Sequence, residues 1–481
     1  MNIKFILNVL GRIQLLLSVF MITILPWTLY FHEKNLLVPV TESSLISLTL
    51  GLLFLIISNK HNKIIGTKEA YITVSLSWIT MGIIGSLPFI LTHSTTSIVD
   101  ALFESFSGFT TTGSSILTNI EAVPKSILYW RSLTHWIGGM GIIVLTVAVF
   151  PSLKIASYRL FSSETSGITS EKIIPRTSSM AKNLWGIYIV LSVLMTIILM
   201  FGGVNFYESL CHTFGTIATG GFSTKNASAG YYSPFVQYVI ALFMLLSGIN
   251  FTIHYFLLKG RLKDIFNNTE LKTYLLIIII IGSSIALMLH FKTNLPYEQA
   301  FRESFFQIIS IITATGFSTV DYLQWNELSW ILLFFTMFIG ACVGSTGGGI
   351  KVIRHIIAFK SISRFFLQLL EPHSVKRIVI GGKIIKEDKI HSVLTFIVIY
   401  ILIFLAGGFA ILLTGQDVPT SFSASITCMG GIGPGIGSIG PASNFAQFSN
   451  IAKIILPILM IIGRLEILTF LVIFTPSFWK A

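Results

Sequence analysis

Four times along this chain an acidic or hydroxyl residue stands thirteen places ahead of a glycine: Asp100 and Gly113, Glu208 and Gly221, Glu303 and Gly316, Thr420 and Gly433. The segments read DALFESFSGFTTTG, ESLCHTFGTIATGG, ESFFQIISIITATG and TSFSASITCMGGIG. Each opens on a residue suited to cap a helix and ends in a Thr/Gly or Gly-rich tip. That is the pattern of a short half-helix followed by an extended strand. Four copies in register predict four re-entrant loops around one axis, and hence an ion pore. A Gly/Thr patch for helix contact would account for any one copy. It does not account for four, each flanked by apolar stretches of spanning length.

The remainder of the chain says which solvent these loops meet. Of 481 residues, 53% are hydrophobic and 11% charged, against about 25% charged in a soluble domain. Mean hydropathy is +0.81. Such a chain cannot cover itself with polar surface, so the lipid bilayer is its medium. Apolar stretches of roughly 18–25 residues recur, long enough for ~30 Å of hydrocarbon. Spans are expected at 8–31 and 42–59, followed by four copies of helix, loop, helix. The copies read 70–93, 98–115 and 126–150; 183–203, 207–224 and 234–258; 272–291, 299–319 and 327–349; 391–414, 419–437 and 451–475. The expected organisation is a two-helix segment at 1–68 and pore repeats at 69–182, 183–271, 272–390 and 391–481. Lys4 and Arg12 precede the first apolar run, but no small-residue cleavage site follows. The run reads as a retained helix.

Charge sets the orientation. Most of the 32 basic residues cluster in the segments between copies and at the termini. They include Lys60, Lys63, Lys154, Arg159, Lys172, Arg176, Lys259, Arg261, Lys360, Arg364, Lys376 and Arg377. All fall on one side of the expected topology. Basic loops stay cytoplasmic, so both termini are inside and the Gly tips enter from outside. The net charge of +12 is therefore a topology signal and a docking surface for an acidic partner or anionic lipid. No nucleic-acid motif accompanies it. Cys211, Cys342 and Cys428 lie in apolar surroundings without CxxC spacing and read as small buried hydrophobes.

A dehydrated monovalent cation needs several oxygen ligands, and backbone carbonyls supply them when a strand is extended around it. Glycine permits the unusual dihedrals cheaply, and the neighbouring threonines favour extended backbone. The negative C-terminal ends of four half-helices would point at the ion.

The stretches FESFSGFTTTGSS, YWRSLTHWIGGMGIIVL, ATGGFST, TATGFST, GACVGSTGGGIKVIRH, GGIGPGIGSIGP and GRLEILTFLVIFTP resemble the Trk/Ktr/HKT superfamily of potassium transporters, and within it the TrkH subunit. The resemblance covers essentially the whole chain. It implies an all-α membrane fold, with four helix–pore-loop–helix repeats in pseudo-fourfold arrangement and two extra N-terminal helices. It implies a homodimer in a bacterial inner membrane, attended by a cytoplasmic ring of TrkA-like nucleotide-binding subunits. Gly113, Gly221, Gly316 and Gly433 match the four filter glycines. K+ would then be bound along Thr111, Thr112 and Gly113; Thr219, Gly220 and Gly221; Thr315 and Gly316; and Ile432 and Gly433. Family members with Ser at the first filter position tend to favour sodium; Gly113 here implies potassium. The fourth tip departs from the others, with Gly430, Gly431 and Pro434.

Inside the last helix of copy three lies Gly344-Ser345-Thr346-Gly347-Gly348-Gly349, ahead of Ile350 and Lys351. Each glycine costs a helix about 1 kcal/mol relative to alanine, so a continuous helix should break here. The resemblance implies an intramembrane gating loop under the filter. A helix-contact patch is the plainer alternative. A phosphate loop fits poorly, because Ile350 separates Lys351 from the last glycine. Arg464 and Glu466 sit inside the final apolar run, where a lone charge costs at least roughly 2.5–3.5 kcal/mol. Arg464 is expected at the pore constriction as a barrier to cations, or else in a structural Arg–Glu pair or a backbone anchor. His135, His212 and His254 lack a second ligand at helical spacing and read as packed histidines. Two other functions remain open. Ion-coupled symport, driven by H+ or Na+, is weakened by the scarcity of acidic residues mid-span. A membrane enzyme lacks a Ser/His/Asp set, an HExxH motif or paired carboxylates.

Overall fold

The computed structural model describes residues 1–58, 66–141, 177–374 and 376–480. The expected helix at 126–150 is described as Lys125–Gly139, and its continuation lies outside the described residues. So do Lys60, Lys63, Lys154, Arg159, Lys172 and Arg176. Among the described residues the protein is predominantly helical. Among the described residues six helices are long and apolar enough to cross a membrane: Ile3–Tyr30, Lys34–Ile57, Thr67–Leu91, Lys182–Phe201, Thr269–Thr293 and Glu387–Leu412. The first two form an antiparallel pair that meets backbone to backbone at Gly11 and Gly51, where a Cβ on Gly11 would stand 2.9 Å from the carbonyl oxygen of Gly51. The last four are the outer helices of the four repeats.

Three inner helices differ from the expected spans. Pro234–Ser247 and Phe251–Leu258 meet at 97°, and Asn450–Arg464 and Leu468–Phe474 at 109°. The first break is capped by Asn250, whose side chain accepts from the Thr252 amide at 2.8 Å. The second carries Glu466 and Ile467 at φ +52° and +56°, a region hostile to a β-branched residue. In the third repeat, Glu327–Thr336 ends well before the glycines. An irregular stretch then leads into a further helix, Val352–Leu370, absent from the expected topology. A two-strand hairpin follows, with Val379 paired to Ile384 and Ile380 to Lys383.

The half-helices are Ile98–Phe109, Phe206–Ile217, Tyr297–Ile312 and Val418–Gly430. Their caps correct the expected ones. Ser97, Asn205 and Asp417 are the N-caps, each accepting from the amide three residues on, that of Asp100, Glu208 or Thr420. The acidic residues therefore lie within the first turn, where they still suit the positive helix end. Glu303 lies deeper, because the third half-helix starts earlier, after Pro296.

All four half-helices end alike. The amides of Thr112, Gly220, Thr315 and Ile432 donate to the carbonyls of Ser107, Gly215, Ser310 and Thr427 at 2.7–2.9 Å. This is the six-residue closure of a Schellman motif, which needs a left-handed residue just before the donor. Thr111, Thr219, Ala314 and Gly431 occupy that place at φ +55°, +53°, +56° and +69°. In three repeats a residue with a Cβ accepts a conformation that costs about 1–2 kcal/mol. The unusual Gly431 of the fourth tip adopts the same left-handed turn as its counterparts.

Candidate functional site

The four tips close into a ring. A Cβ built on Gly113 would overlap the carbonyl oxygen of Gly220, and one on Gly221 would overlap that of Thr315. One on Gly316 would overlap that of Ile432. The fourth contact returns to the start, where a Cβ on Gly433 would stand 2.9 Å from the Thr112 oxygen. Each glycine thus lies against the carbonyl that precedes the glycine of the next repeat. The glycines have φ of +78°, +79°, +84° and +93°, which only glycine adopts at little cost. Eight of the ten residues expected to bind the ion, Thr112, Gly113, Gly220, Gly221, Thr315, Gly316, Ile432 and Gly433, make this ring. Thr111 and Thr219 form its inner turns.

Buried pairs hold the ring from behind. Glu104 receives Arg131 Nε at 2.5 Å, Ser115 Oγ at 2.9 Å and the Ile116 amide at 3.0 Å. Arg131 also donates to the Ser223 carbonyl at 2.9 Å and lies 3.5 Å above the Phe222 ring. It thereby joins the first tip to the second. Lys453 meets Asp100 at 2.7 Å, fixing the first half-helix to the last inner helix. Buried pairs of this kind are costly to break by removing one partner, roughly 3–5 kcal/mol. His135 is stacked on Phe222 with ring centroids 4.0 Å apart. It also covers Gly220, where any Cβ would strike the imidazole. Outside the ring a cavity of about 140 Å³ opens, bordered by the four glycines and by Ser114, Ser115, Ser223 and Ser318.

Beneath the ring lies a packed layer. The stretch 340–351 is tied at its neck by the Gly340 amide to the Ile350 carbonyl, 2.8 Å. Glu270 receives the amides of Val343, 2.9 Å, and Ile353, 3.2 Å, one on each side of the loop. Gly347 lies against the Thr313 carbonyl and Gly348 against that of Gly430, closely enough to exclude a Cβ. Thr346 Oγ1 reaches the Ile217 carbonyl at 3.2 Å. Gly344 accepts from the Phe251 amide at 3.0 Å, and Ser345 Oγ folds back to Cys342. Gly349, at φ +73°, turns the chain out again. Lys351 is buried and donates to the Gly347 carbonyl.

Arg464 completes this layer. Its guanidinium bonds the carbonyls of Thr346 at 3.0 Å, Gly138 at 2.5 Å and Gly139 at 2.9 Å, and approaches Thr111 Oγ1 at 3.3 Å. Loop and arginine together touch the C-terminal ends of all four half-helices. Those ends carry partial negative charge, and the Arg464 guanidinium stands beside the first of them. Of the two structural alternatives for Arg464, the backbone anchor is the one its carbonyl bonds match, while Glu466 binds Arg354 at 2.5 Å. Sequence reasoning missed Glu270 and Arg354. No local spacing marks them, since each acts across more than 70 residues of chain. His135 is the packed histidine that the sequence suggests.

Comparison with known proteins bears on the same ring. Residues 39–481 match the family model of TrkH, described as a cation transport protein. The chain is 38% identical over 447 residues to the Trk system potassium uptake protein TrkH of Salmonella typhimurium, covering 92% of each. It is 35% identical over 487 residues to the TrkH protein of Halomonas elongata, covering 100% of each. The crystal structure of the potassium transporter TrkH from Vibrio parahaemolyticus superposes with a TM-score of 0.91 at 33% identity, over 100% of both chains. With its glycine ring, its two leading helices and a match that spans nearly all its length, the chain belongs to the TrkH family.

Proposed function

We propose that this protein takes up potassium across a bacterial plasma membrane, as the pore subunit of a Trk-type system, and is a transporter rather than an enzyme. The observation that carries the reading is the closed ring in which each glycine abuts a carbonyl of the next repeat. Four strands so arranged present backbone oxygens to one axis, the chemistry that replaces the hydration shell of K+. The liganding carbonyls are those of Thr111 to Gly113, Thr219 to Gly221, Thr315 and Gly316, and Ile432 and Gly433. The segment 1–68 precedes the four pore repeats, and both termini face the cytoplasm. The chain works as a homodimer on a cytoplasmic nucleotide-binding ring that moves the gate.

The test is uptake of ⁸⁶Rb⁺ and ²²Na⁺ by liposomes that contain the purified chain. Gly113→Ser should lower the Rb⁺ over Na⁺ preference by roughly tenfold or more, about 1.4 kcal/mol, because the side chain must push the Gly220 carbonyl off its position. An unchanged ratio would count against the filter.

The stretch Gly344–Gly349 is the gate in this reading, closed in the conformation described. Deleting Gly347–Gly349 removes the contacts to Thr313 and Gly430 and should raise basal Rb⁺ flux several-fold. Flat or falling flux in a protein that still elutes as one species would make the loop a structural filler.

A further inference from the structure

Nine residues ahead of each ring glycine stand Glu104, His212, Gln307 and Ala424; two residues after it stand Ser115, Ser223, Ser318 and Gly435. In the first repeat Ser115 Oγ donates to the Glu104 carboxylate at 2.9 Å and accepts from the Leu117 amide at 3.1 Å. In the second, His212 Nδ1 lies 2.8 Å from the Glu208 carbonyl, so that nitrogen carries the proton. The other nitrogen, Nε2, must then accept from Ser223 Oγ, 3.0 Å away. Ser223 Oγ also accepts from the Lys225 amide at 3.0 Å. A carboxylate in one repeat and an imidazole in the other thus do the same thing at the same register. Each takes the hydroxyl proton of the serine, whose oxygen in turn fixes the amide two residues further on. All four side chains are buried or border the outer cavity.

The third and fourth repeats lack this brace. Gln307 is fully buried and neither atom of its amide has a hydrogen bond. Ala424 and Gly435 have nothing to offer. There the Tyr322 hydroxyl donates to the Gly435 carbonyl at 2.7 Å, and the Ile436 amide to Ser423 Oγ at 2.6 Å.

We infer that Glu104 with Ser115, and His212 with Ser223, are positioning pairs that hold the outer ends of the first two strands and thereby set the ion preference of the ring. The inference rests on the filter reading above. A carbonyl ring discriminates by the number and placement of its oxygens, and such placement is only as firm as the groups behind it. Releasing one hydrogen bond behind a strand lets its carbonyls relax toward the smaller ion.

The experiment measures ⁸⁶Rb⁺ and ²²Na⁺ uptake side by side for Ser223→Ala, Ser115→Ala, His212→Leu and His212→Gln, with Gly113→Ser as reference. Ser223→Ala keeps the backbone carbonyl that Arg131 uses, so it remains informative if His212→Leu does not fold. The Rb⁺ over Na⁺ ratio should fall roughly two- to tenfold in the two serine variants and in His212→Leu, the range expected of one hydrogen bond. His212→Gln offers an amide oxygen to Ser223 and should keep the ratio within about twofold of the parent. A purely structural role would lower uptake of both ions in proportion. If Gly113→Ser shifts the ratio and the Ser223, Ser115 and His212 variants do not, the braces are refuted and the filter stands. If Gly113→Ser shifts nothing either, the filter reading itself falls, and the braces with it.

Discussion

Replacing Arg464 with alanine should raise basal Rb⁺ flux by at least about tenfold and lower the thermal stability of the protein at the same time. The guanidinium is charged at every physiological pH. It sits among the half-helix ends, where on the proposed pore reading a permeating cation passes, and its field there is poorly screened. Its loss removes that barrier. It also takes the guanidinium from the carbonyls of Thr346, Gly138 and Gly139, of which Gly138 keeps the Gly141 amide at 3.0 Å, and a carbonyl left without a donor costs about 1–3 kcal/mol unless water enters. Arg464→Lys retains the charge but cannot reach several carbonyls with one ammonium, so flux should rise less while stability still drops. Glu466 should be indifferent to both changes, because its partner is Arg354. Flux and melting temperature measured on the two variants decide the matter. A drop in stability with no gain in flux from Arg464→Ala would reduce the arginine to an anchor.

Gly316→Ala should abolish selective uptake, with a loss of a hundredfold or more. The added methyl would overlap the Ile432 carbonyl oxygen, a backbone atom whose displacement distorts the ring. Overpacking costs about 1–3 kcal/mol, and an alanine at φ +84° about 1–2 kcal/mol more. The two together reach the roughly 3 kcal/mol that corresponds to a hundredfold. Gly433→Ala is the internal comparison. Its Cβ would stand 2.9 Å from the nearest oxygen, so uptake should fall less than in Gly316→Ala. Equal uptake by the parent and Gly316→Ala would show that ions do not pass through this ring.

The architecture was open to sequence reasoning where it rests on local chemistry. The thirteen-residue offset spans the last turns of each half-helix, a Schellman closure and one residue of extended chain, and all three are encoded within a single short segment. The same holds for the failure of a helix at Gly344–Gly349. The bends at 248–250 and 465–467 were not legible, because hydropathy counts apolar residues and is blind to the direction in which they run. Asn250 marks its break only once Thr252 is seen to be capped by it. The helix Val352–Leu370 was hidden among basic residues that serve the topology signal equally well. At the site, the glycines announce themselves by a conformational need that no other residue meets. Glu270 and Arg354 do not, since a carboxylate near a span end is ordinarily a solvated residue, and only the fold brings Val343 and Ile353 to it. Reading Asp100 and Glu208 as caps placed them one turn too early; Ser97 and Asn205 perform that task.

A ring closed by four unlike segments of one chain has a genetic consequence. Where a pore is assembled from identical subunits, one codon change alters every quadrant together, and a damaging substitution is felt fourfold. Here a single codon alters a single quadrant. In the proposed filter, ion preference can therefore change one quadrant at a time, by steps as large as Gly316→Ala or as small as the loss of one hydrogen bond behind a strand.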